Sequence, residues 1–485
     1  SADAEDLRVA LVLEASPAKL RAYLPGGEIV TVASAGLKFA QRMLDDKAPA
    51  NKRLRRGAII RLNQDDKNQW QITQWPEVEA AFVAANPQDG ALRALVGGFD
   101  FNRNKFNHVT QAWRQPGSSM KPFIYSAALE KGFTPLSVLP DEPLSISAEE
   151  TGSQAWEPKN YDGKYEGPMT LRNALTKSKN MVSIRLVRAI DPHYAQDYAT
   201  RFGFDADKNP PYLTLALGAG NVTPWQHLAA YAVFANGGYK IEPYLIKQIL
   251  AADNQVLAET RPVLAGDESL RIIDARNAWL MDSMMRDVTR RGTAARAGQI
   301  LKRADLAGKT GTTNDYVDAW FCGYQPTMVG VAWMGFDQPK RLGNGETGGT
   351  AALPIWIGFM QTALKDVPEM HPDMPRGLQR EAAGATALTL SILGLLTVLA
   401  FWSGLTPILE LGVGWHPHAD GVGSVAPSGA RPPRARQPSG SDAVADRTGL
   451  PQRTGRAAAA VARGVDLGDA RAVRAELLSQ RVRLA

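Results

Sequence analysis

The sequence predicts an α+β protein, in which one antiparallel sheet is flanked by a cluster of helices and a small β-domain of the OB type comes first. Three observations lead there. Residues 1–75 hold several short strand patterns with a single short helical one. Strand patterns then appear at Glu79 to Gly98 and again after Lys309, with mostly helical spacing between them. Strands at both ends of a region with helices inside it segregate into a sheet and a helical layer.

In the leading segment, Leu7 to Leu13 alternates in part, and Gly27 to Val32 follows a Pro25-Gly26-Gly27 turn. Arg56 to Leu62 and Gln69 to Gln74 are split by the polar turn Asn63 to Asn68, and a helical segment lies near Leu37 to Leu44. Short strands with turn residues between them suit a small barrel. Its one basic cluster, Lys52 to Arg56, reads as a solvated face, so no nucleic-acid partner is expected.

Next comes a hairpin, Ala81 to Ala85 and Ala91 to Val96, joined by Pro87-Gln88-Asp89-Gly90. Helical patterns run through Phe123 to Lys131, Leu171 to Ala189 and Trp225 to Asn236. Strands return at Tyr239 to Ile249 and after Lys309, with a hairpin from Asp318 to Asp337 that turns at Gln325-Pro326. In this layout Lys309-Thr310-Gly311 opens an edge strand able to face the helix after Ser118, and Gly311 admits the backbone of a ligand.

Composition bounds the chemistry. At 485 residues, 44% hydrophobic and 21% charged, the chain is an ordinary globular protein with room for several domains. Its one cysteine, Cys322, excludes an intrachain disulfide and sits in an apolar run that reads as buried. The six histidines show no metal-binding spacing, and neither a metal nor a cofactor is expected. Net charge is +6, but after His371 there are thirteen Arg, nine acidic residues and no Lys, so the body is nearly neutral.

The candidate nucleophile lies in Gln115-Pro116-Gly117-Ser118-Ser119-Met120-Lys121. Ser118 and Lys121 are one helical turn apart on one face. A serine hydroxyl needs a neighbouring base, and a lysine held neutral can be one. The helix start supplies backbone N–H groups for a developing oxyanion. Ser-x-x-Lys alone equally describes a capping serine and a surface lysine. Two later stretches decide between these readings: Ser178-Lys179-Asn180, and Lys309-Thr310-Gly311 followed by Thr312-Thr313. The ordered set Ser-x-x-Lys, Ser-x-Asn, Lys-Thr-Gly marks serine β-lactamases and penicillin-binding proteins.

From about Gln74 to Glu369 the chain resembles the transpeptidase domain of class A penicillin-binding proteins. The likeness extends to Leu95 to Phe101, Trp156 to Asp162, Gly167 to Arg172, Ala216 to Gly220, Phe234 to Gly238, Arg291 to Ala294 and Glu346 to Gly349. Residues 1–75 resemble the small β-domain ahead of it, giving domains at 1–75 and 76–370 and an unmatched tail at 371–485. The resemblance implies a peptidoglycan D,D-transpeptidase at the periplasmic face of the bacterial inner membrane, acting on stem peptides and acylated by β-lactams. It assigns Ser118 as nucleophile, Lys121 as base, Ser178 as proton donor to the leaving amine and Asn180 as a holder of the peptide amide. Lys309, counted in the catalytic set, binds the terminal carboxylate with Thr310 and Thr312; Thr310, Gly311, Thr312 and Thr313 line the substrate, and the backbone N–H groups of Ser118 and Thr312 form the oxyanion hole. A D,D-carboxypeptidase or β-lactamase using the same serine, and a non-enzymatic penicillin sensor or scaffold, are the alternatives. No Glu-x-x-x-Asn motif of the deacylating kind is recognised.

The family's glycosyltransferase domain and membrane anchor find no counterpart, so the chain reads as a piece of a longer, membrane-anchored protein, with no glycan polymerisation expected of it. In the tail, the uncharged run around Ala385 to Leu405 is long enough to span a bilayer, and the Ala/Arg/Gly/Pro-rich remainder suggests disorder. The competing reading is a shifted reading frame.

Overall fold

A computed structural model describes residues 7–151 and 154–379. The leading domain is a five-stranded antiparallel sheet of β1 (Arg8–Ala15), β2 (Lys19–Tyr23), β3 (Ile29–Ala33), β4 (Ile59–Gln64) and β5 (Trp70–Thr73), in the order β3-β2-β1-β4-β5. The pattern of β3 explains its placement: Val30 and Val32 face inward while Ile29, Thr31 and Ala33 face water. Val12, Leu20, Leu24, Leu37, Leu62 and Ile72 close this small core.

The second sheet carries the functional half. β6 (Glu79–Ala85) and β7 (Leu92–Val96) form the expected hairpin. Two small ribbons follow in sequence, β8 (Val138–Asp141) with β9 (Gly167–Thr170), and β10 (Gln248–Leu250) with β11 (Val256–Glu259). Then β12 (Ala307–Thr312), β13 (Asp318–Gln325) and β14 (Met328–Gly335) complete an antiparallel sheet in the order β12-β13-β14-β6-β7. β12 is indeed an edge strand, in register with β13 so that Lys309 lies opposite Cys322 and Thr310 opposite Phe321.

β13 is buried at every position because both faces of the sheet are covered. Trp320, Cys322 and Tyr324 point into a core shared with the central helices, among them Phe123, Tyr231 and Met284. Phe321 points the other way, onto Trp356 of the Leu353–Ala363 helix, ring centroids 5.0 Å apart. Cys322 is buried as its apolar run predicts.

Several elements differ from the sequence reading, the helices Pro192–Arg201 and Leu353–Ala363 among them. Leu171 to Ala189 is not one helix: it breaks between Leu171–Lys177 and Asn180–Ile190, where Ser178 adopts a left-handed backbone, φ 58°. Tyr239 to Ile249 is not a strand over its length. Pro243 offers no N–H, and only isolated bridges at Tyr239 and Tyr244 precede β10. The 17-residue helix Ala275–Arg291 is hidden in the sequence because its many charges mask the apolar stripe Met281, Met284, Met285 and Val288. Asp274 caps it by accepting from the Arg276 amide, a signal the sequence did hold.

The expected span at 385–405 and the Arg-rich remainder lie outside the described residues. Among the described residues no helix is long and apolar enough to cross a membrane.

Candidate active site

Gly117 to Met120 form a single 3-10 turn that runs into the Lys121–Glu130 helix. That turn exists because neighbouring backbones close in on it. Gly117 (φ 56°) and Gly218 (φ 66°) meet so tightly that a Cβ on Gly218 would lie 2.2 Å from the Gly117 carbonyl oxygen. The Gly117 amide donates to the Gly218 carbonyl at 3.2 Å. A Cβ on Gly117 would fall 2.6 Å from the Thr312 carbonyl oxygen and 3.1 Å from its nitrogen, so the nucleophile turn abuts the end of β12. This juxtaposition brings the two proposed oxyanion residues, Ser118 and Thr312, to one cavity wall. We expect Gly218→Ala to destabilise the protein by about 2–4 kcal/mol, from left-handed strain plus a backbone clash. Chemical denaturation reads this directly.

Gly311 has a different cause from the one expected. A Cβ there would strike the Pro116 carbonyl oxygen at 2.5 Å and Ser119 Oγ at 3.0 Å, so glycine admits the protein's own nucleophile turn.

The helix break at Ser178 assembles the second part. An extended Lys179 (ψ 129°) between Ser178 and Asn180 sends alternate side chains to opposite sides. Ser178 and Asn180 line a cavity of about 590 Å³, while Lys179 turns away to Asp141, Asp162 and Glu166 at 3.1–3.4 Å. Asn160 fixes this break by accepting from the Asn180 amide at 2.8 Å and donating to Asp141 at 2.6 Å.

Lys121 and Lys309 are both fully buried and converge on Ser178 from behind the cavity. Lys121 Nζ donates to the Ser178 carbonyl (2.7 Å) and Asn180 Oδ1 (2.7 Å), and lies 3.3 Å from Ser178 Oγ. Lys309 Nζ donates to Ser178 Oγ at 2.8 Å and to the Thr310 carbonyl at 3.0 Å. Burial, reinforced by the charge of Lys309, pushes Lys121 well below the ordinary lysine range. Burial also lowers Lys309, to about 7. A neutral Lys121 has two N–H bonds, which the two carbonyl oxygens take, and a lone pair left over. Ser118 borders the cavity, and its Oγ makes no hydrogen bond to a described residue.

The threonines divide. Thr310 Oγ1 pairs with Thr293 Oγ1 at 2.7 Å, and Thr312 Oγ1 accepts from the Gly348 amide at 3.0 Å; all three threonines line the cavity. Thr313 also borders it, but its hydroxyl accepts from the Asp318 amide at 2.8 Å and so shapes the loop into β13. Lys309 and Gly311 do not border the cavity.

Several neighbours carried no role in the sequence reading: Thr293, Asn160, and the tyrosines Tyr161 and Tyr316, whose hydroxyls meet at 3.0 Å beside the cavity. Thr293 and Asn160 sit in stretches that resembled the family, which was the signal at hand.

A family model described as the penicillin binding protein transpeptidase domain matches residues 80–356, and one described as the penicillin-binding protein OB-like domain matches residues 1–78. Penicillin-binding protein 1A of Neisseria lactamica is 46% identical over 355 residues, covering 73% of this chain and 44% of its own length. Its namesake from Pseudomonas aeruginosa is 44% identical over 360 residues, covering 65% of this chain and 43% of itself. The crystal structure of penicillin-binding protein 1A from Haemophilus influenzae superposes with a TM-score of 0.72 at 35% identity, covering 78% of this chain and 60% of that one. The chain thus spans less than half the length of the curated relatives it matches.

Proposed function

The chain belongs to the penicillin-binding protein transpeptidase family, and from that membership we propose that it is a peptidoglycan D,D-transpeptidase working through an acyl ester on Ser118. The observation that carries the reading is the placement of two buried lysines on either side of Ser178 Oγ, behind a cavity that Ser118 borders.

Ser118 Oγ attacks the carbonyl between the two terminal D-alanines of a stem peptide, and its proton passes to the lone pair of Lys121. The Oγ–C bond forms first to give a tetrahedral oxyanion, and the C–N bond breaks as that oxyanion collapses to the acyl ester. Ser178 delivers a proton to the departing D-alanine amine and regains one through Lys121 or Lys309. The backbone N–H groups of Ser118 and Thr312 stabilise the oxyanion. Asn180 Oδ1 orients Lys121, and its Nδ2, already bonded to the Lys159 carbonyl at 2.9 Å, offers its second N–H to the peptide amide. With Lys309 set back, the hydroxyls of Thr293, Thr310 and Thr312 meet the terminal carboxylate, and the Lys309 charge reaches it through Thr310 and Ser178. An amine of a neighbouring stem peptide then takes the acyl group as a cross-link. β-Lactams acylate Ser118 by the same route and remain attached. The parent protein would add a glycosyltransferase domain and a membrane anchor, placing this domain at the periplasmic face of the inner membrane.

The test is intact mass after incubation with a penicillin, followed by peptide mapping. A single stable adduct on the peptide containing Ser118 is expected, and cross-linked product from a peptidoglycan donor with an amine acceptor. Release of D-alanine without cross-links would assign a carboxypeptidase instead, and rapid penicillin turnover a β-lactamase. A folded protein without an adduct would overturn the reading.

A further inference from the structure

The nucleophile turn is tied to buried side chains that take no part in the proposed chemistry. Trp320 Nε1 donates to the Gln115 carbonyl at 2.8 Å, and the Tyr231 hydroxyl to the Ser119 carbonyl at 2.7 Å. Ser119 Oγ lies 2.7 Å from the Pro116 carbonyl and 2.8 Å from His227 Nε2. His227 and Tyr231 are one turn apart on the Pro224–Ala235 helix, and both are fully buried.

The proton inventory favours one assignment. The Pro116 carbonyl accepts from Ser119 Oγ at 2.7 Å as well as from the Ser119 amide at 3.3 Å. His227 Nε2 then donates into a Ser119 lone pair, since the reverse assignment would bury an unpaired Nδ1–H. A neutral imidazole carries one N–H, which leaves Nδ1 bare, and Nδ1 has no partner among the described residues. The rings of Phe123, Phe204, Tyr231 and Trp320 enclose the imidazole at centroid distances of 5.3–6.2 Å. That dry cage pushes His227 down to about 3, so it stays neutral across physiological pH. A bare lone pair is the cheaper group to leave unmatched, because a buried cation would add an unpaired N–H and a charge.

We propose that His227 is a positioning residue for the nucleophile: as the Nε2–H tautomer it donates to Ser119 Oγ, which in turn holds the Pro116 carbonyl and thereby sets the direction of Ser118. The inference rests on the acyl-serine reading above. Ser119 is the relay because it lies next to Ser118 yet faces the interior, where Gly311 and Cys322 of the sheet also meet it. Thr312 and Gly218 confine the turn from the remaining sides.

The experiment compares His227→Phe, which keeps an aromatic ring but no donor, with His227→Gln, whose side-chain amide can replace the Nε2–H. Both are made in the full chain. The second-order rate of penicillin acylation is expected to fall about ten- to a hundredfold in His227→Phe, the loss that an ångström-scale misplacement brings. His227→Gln should recover most of it. Ser119→Ala combined with His227→Phe should be no slower than the slower single variant, because both break one connection. Acylation of His227→Phe at the wild-type rate would overturn the proposal, as would a loss in both variants that merely follows their unfolded fraction. A second readout needs no acylation: nitrogen NMR of ¹⁵N-histidine-labelled protein, with His227 assigned by its loss in His227→Phe. The Nε2–H tautomer should persist from pH 5 to 8, and an Nδ1–H tautomer or a titrating ring would overturn the proposal. Absence of any wild-type adduct would count against the acyl-serine reading alone, and the tautomer would still decide this one.

Discussion

Lys121→Met is expected to slow penicillin acylation of Ser118 by about a thousandfold or more, against a Ser118→Ala variant that forms no adduct at all. The loss is large because one lone pair is removed and nothing replaces it. General-base assistance contributes roughly 10²–10⁴ in rate, and the other lysines beside Ser178 are already engaged: Lys309 donates to Ser178 Oγ and the Thr310 carbonyl, and Lys179 is held by three carboxylates. Methionine matches the length and burial of the lysine stem, so the fold should survive. Circular dichroism and a melting temperature at or near the wild-type value would establish that. Adding Ser178→Ala to Lys121→Met should slow the reaction little further, since groups that act as one unit lose their function together. Acylation by Lys121→Met within tenfold of wild type would remove Lys121 from the role of base.

Lys309→Met should change the pH dependence of stability as well as activity. Lys309 is fully buried, with its titration lowered to about 7 from the ordinary 10.5. Between those limits the unfolded chain binds a proton that the folded protein does not, so folded stability rises with pH across about 7 to 10.5. The slope is at most about 1.4 kcal/mol per pH unit, and the whole window amounts to about 5 kcal/mol. Below pH 7 both states hold the proton and the penalty of burying the charge is constant. Methionine has nothing to titrate. Relative to wild type, Lys309→Met should therefore be most favoured near pH 7 and lose that advantage towards pH 10, while acylating about a hundredfold more slowly. Urea denaturation of both proteins at unit steps of pH reads the difference, and identical slopes would show that Lys309 titrates as an ordinary lysine. Lys121 follows the same logic, because burial pushes it well below the ordinary lysine range and the Lys309 charge reinforces the shift. The paired behaviour explains how one lysine stays neutral beside another: of two like charges in a dry place, the first to lose its proton relieves the second.

Much of this site is legible in the amino-acid sequence. Ser118 and Lys121 are local, one turn apart, and their geometry follows from the helix start that Pro116-Gly117 introduces. The edge placement of β12 is readable too, because strand patterns at both ends of a helical region leave few sheet orders. The helix break at Ser178 is not. Leu171 to Ala189 has a helical apolar spacing throughout, and the left-handed Ser178 closes the first helix through the Ser178 and Lys179 amides while the Asn160 side chain and the Lys179 cage of Asp141, Asp162 and Glu166 hold the break. Gly311 reads in sequence as an opening for a ligand, whereas its lost Cβ makes room for Pro116, almost two hundred residues away along the chain.

By itself the sequence determined the family and the α+β architecture and offered the candidate catalytic residues, because ordered short motifs and hydrophobic periodicity are properties of neighbouring residues. Tertiary structure alone decided the full burial that pushes both lysines down, and that Lys309 lies behind the cavity wall. It also decided the neutral His227 beneath the nucleophile. Those outcomes depend on burial and on contacts between distant segments, and desolvation acts on a charge only once the fold has taken water away.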